Sequence, residues 1–380
     1  IDRFEVMNLI FTWQYMRIIP KIGDQNNKWF IPMDMELMKV DSLSSQQTLQ
    51  YLSAIDKAAT TGGYGTAEDL LNQIKKFQRK AGAAVVPSEG KVKIEISYNN
   101  MEIFKNTWMV YILAGMLLLI VFYLSVFFKI GSKITKIINL TRKTFFYLLL
   151  LVFIYHGAGL GMRWYISGHA PWSNGYEAVI FIAWVTMLAG FLFSKKNEIV
   201  LPGTAILAAM MIIVSEMNLL NPQITPLVPV LKSYWLMIHV AIITGSYGFL
   251  GLACILGLLN LILYIFRGDS NGKVVTRNIS ELTYISEMTM TIGVFMLTVG
   301  TFLGGVWANE SWGRYWGWDP KETWAFITWI VYAAYLHSRV TIGWKGTKSA
   351  WVSIAGYAAI IFNFFVINIW VTGLHSYAGV

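Results

Sequence analysis

The chain has 380 residues, 56% of them hydrophobic and 13% charged, with a formal net charge of +9 and one cysteine. That composition describes a protein whose main solvent is lipid. The positive charge does not point to nucleic acid, because beyond the first hundred residues most Lys and Arg sit in short connections between apolar runs. Cys254 lies alone in such a run and supplies no disulfide framework, CxxC pair or thiolate cage.

The start at Ile1, without a signal peptide, is what a portion of a longer chain would show. Residues 1–106 read as a small α+β segment in water. Helix-compatible stretches near 43–58 and 66–82 flank a glycine-rich break at Gly62, Gly63 and Gly65, and the alternating run from Lys91 to Tyr98 predicts a strand. The segment has no histidine and no paired carboxylates, so it reads as a scaffold or docking surface. Residues 107–380 then hold eight apolar stretches able to cross a hydrocarbon core of ~30 Å, which takes roughly 20 residues. They lie near 107–128, 145–166, 176–194, 200–217, 233–266, 284–307, 324–341 and 351–373. The fold predicted is therefore an all-α polytopic membrane protein of about eight transmembrane helices, with a small N-terminal α+β extracytoplasmic segment.

Charge sets the predicted orientation. Lys129, Lys133, Lys136, Arg142 and Lys143 follow the first stretch, Lys195 and Lys196 the third, Arg267, Lys273 and Arg277 the fifth, and Lys345 and Lys348 the seventh. These connections belong in the cytoplasm. The alternate connections, 167–175, 218–232 and 308–323, carry only Lys232, Arg314 and Lys321 and face outward, with residues 1–106 and the C-terminus.

The connection from Trp307 to Trp324 packs five tryptophans into eighteen residues. A loop that short cannot bury so many indoles against itself. Trp307 and Trp324, at segment ends, read as interface anchors. Trp312, Trp316 and Trp318, separated by Gly313 and Gly317, present flat rings on backbone that can approach a planar ligand. Asp319-Pro320-Lys321-Glu322 is a helix start, with Asp319 at the N-cap and Glu322 reaching back to it; a direct chemical role for Asp319 is the second reading.

Of the five histidines, His239 lies about two turns inside the fifth stretch from its outer end, and His375 just past the outer end of the eighth. His337 is ~20 Å along its helix from Trp324, His156 lies near mid-membrane, and His169 is in an outer loop. An ionisable residue at membrane depth is a functional candidate, although a lone one is often only packed and hydrogen-bonded. Two histidines at one height beside an aromatic, glycine-punctuated platform fit bis-imidazole ligation of a haem. Zinc fits less well, because it wants three or four convergent ligands.

The run WANESWGRYWGWDPKETWAFITWIVYAAYLHSR, Trp307 to Arg339, resembles the tryptophan-rich WWD region of the haem-handling superfamily, and in particular the CcsA half of the Ccs (system II) cytochrome c synthase. Leu160 to Glu177, Leu231 to Val240 (LKSYWLMIHV) and Gly373 to Ala378 (GLHSYA) agree with it. A soluble stretch running into the CcsA part resembles a fused CcsBA protein with its front missing.

The resemblance implies a holocytochrome c synthase, a haem lyase, in the bacterial cytoplasmic (inner) membrane, with the WWD loop, N-terminal segment and C-terminus on the periplasmic side. It implies haem b (iron protoporphyrin IX) at two places. His239 and His375 ligate an outer bis-His haem, and His337 helps hold a transmembrane haem whose other ligand comes from the CcsB half; His156 is a local alternative for that ligand, one that conflicts with the family picture. Haem then crosses the membrane and stands with Trp312, Trp316 and Trp318 holding its vinyl-bearing edge outward, and the thiols of an apocytochrome c CxxCH segment add across the vinyls. Cys254 is not expected to react. Arg314, Lys321 and Arg163 are the cations near enough to the outer face to pair with haem propionates. Two alternatives are a haem carrier that forms no thioether bond and an ordinary transporter, which would show an internal repeat.

Overall fold

A computed structural model describes residues 2–12, 14–32, 34, 42–128, 131–217, 219–227, 231–268, 272–367 and 370–373. The chain divides into two compact units, Ile1–Val92 and Lys93–Val380. In the first, α1 (Asp2–Phe11), α2 (Ser42–Thr61) and α3 (Gly65–Ala81) accompany a two-residue antiparallel pair, β1 (Ile19–Pro20) and β2 (Trp29–Phe30). Ile19 and Phe30 face each other across that pair and are buried, and Gln78 of α3 donates its side-chain N–H to the Ile18 carbonyl.

The strand predicted from Lys91 to Tyr98 is instead α4 (Glu89–Met101). Among the described residues its alternation has no partner strand to pair with. Directly after it comes α5 (Ile103–Phe127), broken from it only at Glu102, which takes a left-handed φ of 41°. Extending a helix adds a hydrogen bond for each residue fixed, whereas an unpaired strand gains none.

Each of the eight predicted stretches is a helix. They are α5, α6 (Ser132–Ser167), α7 (Gly175–Phe193), α8 (Val200–Glu216), α9 (Tyr234–Ile265), α10 (Gly272–Trp312), α11 (Pro320–Thr341) and α12 (Thr347–Ile361), the last followed by a π-helical turn, Phe362–Ile367. Among the described residues six stretches of helix are long and apolar enough to cross a membrane, and the protein is an all-α polytopic membrane protein. Helix α8, at 17 residues, is shorter than a full crossing and lies largely buried against α5 and α7. Helix α11 is less apolar than the six.

Two boundaries differ from expectation for one reason. Helix α6 starts thirteen residues before the predicted 145, and α10 begins twelve before 284 and runs five past 307, to Trp312. Hydropathy marks the lipid-facing part of a helix, but the hydrogen-bond ladder continues until something breaks it. In α10 that break is Gly313, with φ of 71°. The tryptophan connection is thus half helix, and its irregular part shrinks to 313–319. Trp307 is not an interface anchor: it is 1% exposed, one of the largest fully buried side chains.

Candidate functional site

Helices α9 and α10 share the most extensive helix interface of the second unit, and it is made by glycines. Gly293, Gly300 and Gly304 face α9 at i, i+7 and i+11, opposite Leu250, Ile243 and His239. A Cβ on Gly293 would come within 2.6 Å of Leu250, one on Gly300 within 2.8 Å of Ile243, and one on Gly304 within 2.5 Å of the His239 ring. Small residues at such a seam let two helices approach to backbone contact. The imidazole of His239 therefore lies on bare helix backbone.

His239 Nδ1 lies 2.7 Å from the Gly300 carbonyl oxygen. A carbonyl only accepts, so Nδ1 carries the hydrogen, and in the neutral ring the lone pair belongs to Nε2. This is how proteins orient an imidazole that ligates a metal through its other nitrogen.

The half-buried His239 lines a cavity of about 330 Å³ at the end of the bundle that carries the tryptophan turn. Trp172, Trp307, Tyr315 and Trp316 supply aromatic walls, Tyr247 and Asn363 polar ones, and Lys321, Glu322 and Ala325 come from the first turns of α11. Trp172 is fixed by an Nε1–H donated to the Met237 carbonyl, 3.0 Å away and two residues before His239.

The turn itself is held by Glu322. The capping box is present: Asp319 accepts from the Lys321 amide at 3.0 Å, and Glu322 Oε2 accepts from the amides of Asp319 at 3.2 Å and Gly317 at 2.8 Å. Between those two amides sits Trp318, with a φ of 56° that L-residues seldom take. One carboxylate oxygen clamps both sides of the strained residue. Glu322→Ala should lower the midpoint of thermal unfolding, by a loss of about 1–3 kcal/mol for two amides left without their acceptor, while Glu322→Gln, which keeps an acceptor oxygen, should lose less. Equal unfolding midpoints for Glu322→Ala and wild type would show that the clamp is not needed.

The predicted site residues separate into those at the cavity and those beside it. His239 and Trp316 line it, as does Lys321. Trp312 packs edge-on against Trp307, with ring centroids 4.9 Å apart. Trp318 is 68% exposed and meets Trp316 edge-to-face at 5.8 Å. Arg314 is exposed and folds over Gly317, where a Cβ would come within 2.6 Å of its guanidinium. Asp319 is buried as the cap, and a Cβ on Gly373 would run into its carboxylate. The described end of the chain thus returns to the start of α11. His375 lies outside the described residues.

Arg163, expected beside haem propionates, is 1% exposed and engaged elsewhere. It donates to Glu177 from Nε at 3.1 Å and from Nη2 at 3.0 Å, and from Nη1 to the Tyr98 hydroxyl and the Pro222 carbonyl. Its ion partner Glu177 also accepts from the Ser173 amide, while its own amide donates to the N-cap Asn174. His156 is fully buried, its Nε2 3.1 Å from the Ile180 carbonyl and Nδ1 3.5 Å from the Tyr111 hydroxyl. Both nitrogens are thereby used in packing three helices together. His169 faces the carbonyls of Ala170 and Thr225. His337 is exposed on α11, sixteen residues beyond Lys321 and so ~24 Å along the helix.

Trp172, Tyr315, Gly304, Glu322 and Asn363 belong to the cavity but were not singled out as site residues from the sequence. For Gly304 a signal existed: it lies eleven residues from Gly293 and four from Gly300, as His239 lies eleven from Leu250 and four from Ile243.

Residues 172–375 match the family described as Cytochrome C assembly protein. The chain is 33% identical to Protein NrfI of Wolinella succinogenes over 99% of its own length and 41% of that protein's. It is 33% identical to the cytochrome c biogenesis protein CcsA of Pyropia yezoensis, over 73% of this chain and 98% of that one. To CcsA of Guillardia theta it is 38% identical, over 57% and 80%. The chain thus spans less than half of NrfI but nearly the whole of an algal CcsA. The matched segment begins at Trp172 and encloses the α9–α10 seam, the tryptophan turn and the cavity between them. The chain belongs to the cytochrome c assembly protein family.

Proposed function

We propose that the cavity receives haem b as substrate on the outer face of the membrane and presents it for covalent attachment to apocytochrome c. His239 holds the iron through Nε2, and His375 supplies the opposite axial imidazole. The observation that carries this reading is the 2.7 Å contact from His239 Nδ1 to the Gly300 carbonyl, inside an aromatic cavity. A volume of about 330 Å³ is at the lower end of the roughly 300–1,000 Å³ typical of small-molecule sites. A porphyrin seated there keeps an edge outside, where a polypeptide can reach it.

The chemistry balances without an oxidant. Each cysteine sulfur of a CxxCH segment bonds to the inner carbon of a vinyl group, and the thiol hydrogen goes to the outer carbon. The residues of this chain hold one reactant: His239 fixes the iron, Trp172, Trp307 and Trp316 bear on the ring, and Glu322 keeps the turn in shape. Their main contribution is orientation. The histidine of the CxxCH segment then replaces one axial imidazole and helps release the product.

His337, exposed on α11, serves an earlier site within the membrane, its second ligand coming from the CcsB half, so that haem travels from the cytoplasmic side to the outer cavity. The periplasmic orientation follows from the basic connections.

Coexpression of this chain and a CcsB half with a CxxCH substrate tests the proposal. Cytochrome c that keeps its haem on a denaturing gel is the expected result. A bound bis-imidazole spectrum with no covalent product would identify a haem carrier, and no haem spectrum at all would overturn the reading.

A further inference from the structure

The side chains of Arg163, near the end of α6, and Glu177, in the first turn of α7, form an ion pair that is 1% and 0% exposed. Taking two charges out of water is costly, and apolar residues of like volume often serve a fold equally well or better. Stability alone therefore does not account for the pair. Its other contacts show what it holds.

Glu177 divides its two oxygens. Oε1 accepts from Nε and Nη2 of Arg163, and Oε2 accepts from the Ser173 amide at 3.0 Å. That amide lies in the connection between α6 and α7, where no helical ladder fixes the backbone. Glu322 does a like task for the tryptophan turn while half-buried, whereas a carboxylate as deep as Glu177 needs a counter-charge beside it. Arg163 supplies that charge. The guanidinium is held in turn by the Tyr98 hydroxyl of α4 and the Pro222 carbonyl, and it lies over the Tyr176 ring, 5.1 Å from the centroid.

Both partners adjoin one wall of the cavity. Ser173 directly follows Trp172, and Trp164, next to Arg163, meets the Trp172 ring edge-on with centroids 5.6 Å apart. Trp172 lines the cavity and donates to the Met237 carbonyl, two residues before His239. Neither Arg163 nor Glu177 is among the residues that line it.

We infer that Arg163 and Glu177 are positioning residues of the cavity: they tie down the connection at Ser173, so that Trp172 stands against α9 beside His239. That this wall bears on haem rests on the function proposed above. Arg163, expected from the sequence to pair with propionates, thus acts on the bound ring through Trp172. A pair of only structural use would shift the unfolding midpoint when replaced and leave Trp172 in place.

The test replaces the pair in the full chain with Arg163→Met/Glu177→Leu, which removes both charges and the acceptor for Ser173, and with Arg163→Met/Glu177→Gln, which keeps an acceptor oxygen. Without haem, amide hydrogen exchange in a peptide covering Trp172 and Ser173 should be about tenfold faster in the Met/Leu variant, the factor one net hydrogen bond is worth. The unfolding midpoint should stay near that of wild type, and the Met/Gln variant should exchange like wild type. Iron protoporphyrin IX titrated into the Met/Leu variant should bind about threefold to tenfold more weakly, the worth of one aromatic contact, with a shifted absorption maximum. Glu177→Asp keeps both charges but is one methylene too short to reach guanidinium and amide together, and it should move exchange and affinity the same way even if the Met/Leu variant does not fold. Wild-type exchange at Ser173 in Glu177→Asp and in a folded Met/Leu variant would overturn the inference and leave the haem reading standing. Faster exchange with unchanged haem affinity would overturn it too, because the wall would then be held without serving the ligand. If wild type itself gives no haem spectrum, the haem reading fails, and the exchange rates still decide whether the pair holds Trp172.

Discussion

His239→Gly protein, purified with the proposed CcsB half, should lose the outer haem spectrum and with it the covalent maturation of cytochrome c, and added imidazole should restore the spectrum. The glycine removes the proposed iron ligand and leaves a space lined by the Gly300 carbonyl and the Gly304 backbone. Free imidazole can donate to that carbonyl through one nitrogen and face the cavity with the other, reproducing the side chain's geometry. A purely structural histidine gives another outcome: its removal opens a hole in the α9–α10 seam, and a small ligand restores packing without restoring a haem spectrum. The effect is expected to exceed tenfold in haem affinity, because loss of even a supporting partner of a metal ligand typically costs about 10–100-fold. The same substitution at His375 should behave alike if both imidazoles share the iron. Failure of imidazole rescue at both positions would rule out direct ligation.

The second large effect is expected from a residue that cannot touch iron. Gly304→Ala adds a Cβ 2.5 Å from the His239 ring, where van der Waals contact needs about 3.5 Å or more. The imidazole must shift by about 1 Å, and the Nδ1 contact with Gly300, at 2.7 Å, is then lost or misdirected. Haem affinity should fall by about 10–100-fold, as for other orienting partners of a metal-bound imidazole. Gly293→Ala, in the same seam but against Leu250, is the control. It stresses the same pair of helices without moving the ligand, so it should lower thermal stability while leaving the absorption maximum of bound haem in place. Equal haem spectra and affinities for Gly304→Ala and wild type would mean that the position of His239 does not control the site.

Much of the fold is legible because helices that cross lipid satisfy their own backbone and must show apolar runs of sufficient length. All eight runs are helices, and the Asp319-Pro320-Lys321-Glu322 start is a capping box. The errors fall where a local pattern has two readings. Lys91 to Tyr98 alternates like a strand, yet continuity with an apolar helix decides its state. Asn174-Gly175-Tyr176-Glu177 begins α7 with the same N-cap and N3 logic as Asp319, but there Glu177 also takes the charge of Arg163. A cation near a predicted interface reads as a ligand for propionates until its buried partner is known.

Residue order alone determined that this protein lives in a membrane, which eight apolar runs become helices, how α11 is capped, and that His239 and a tryptophan-rich turn stand near the same end of the bundle. These follow from periodicity, length and short-range hydrogen bonding, which involve only neighbours along the chain. The tertiary structure decided that Gly304 underlies the His239 ring, that Trp307 faces inward while Trp318 faces out, that Arg163 is neutralised by Glu177, and that Lys321 enters the cavity. Each of these depends on the register and crossing of separate helices, which the packing of small residues against large ones sets across the bundle.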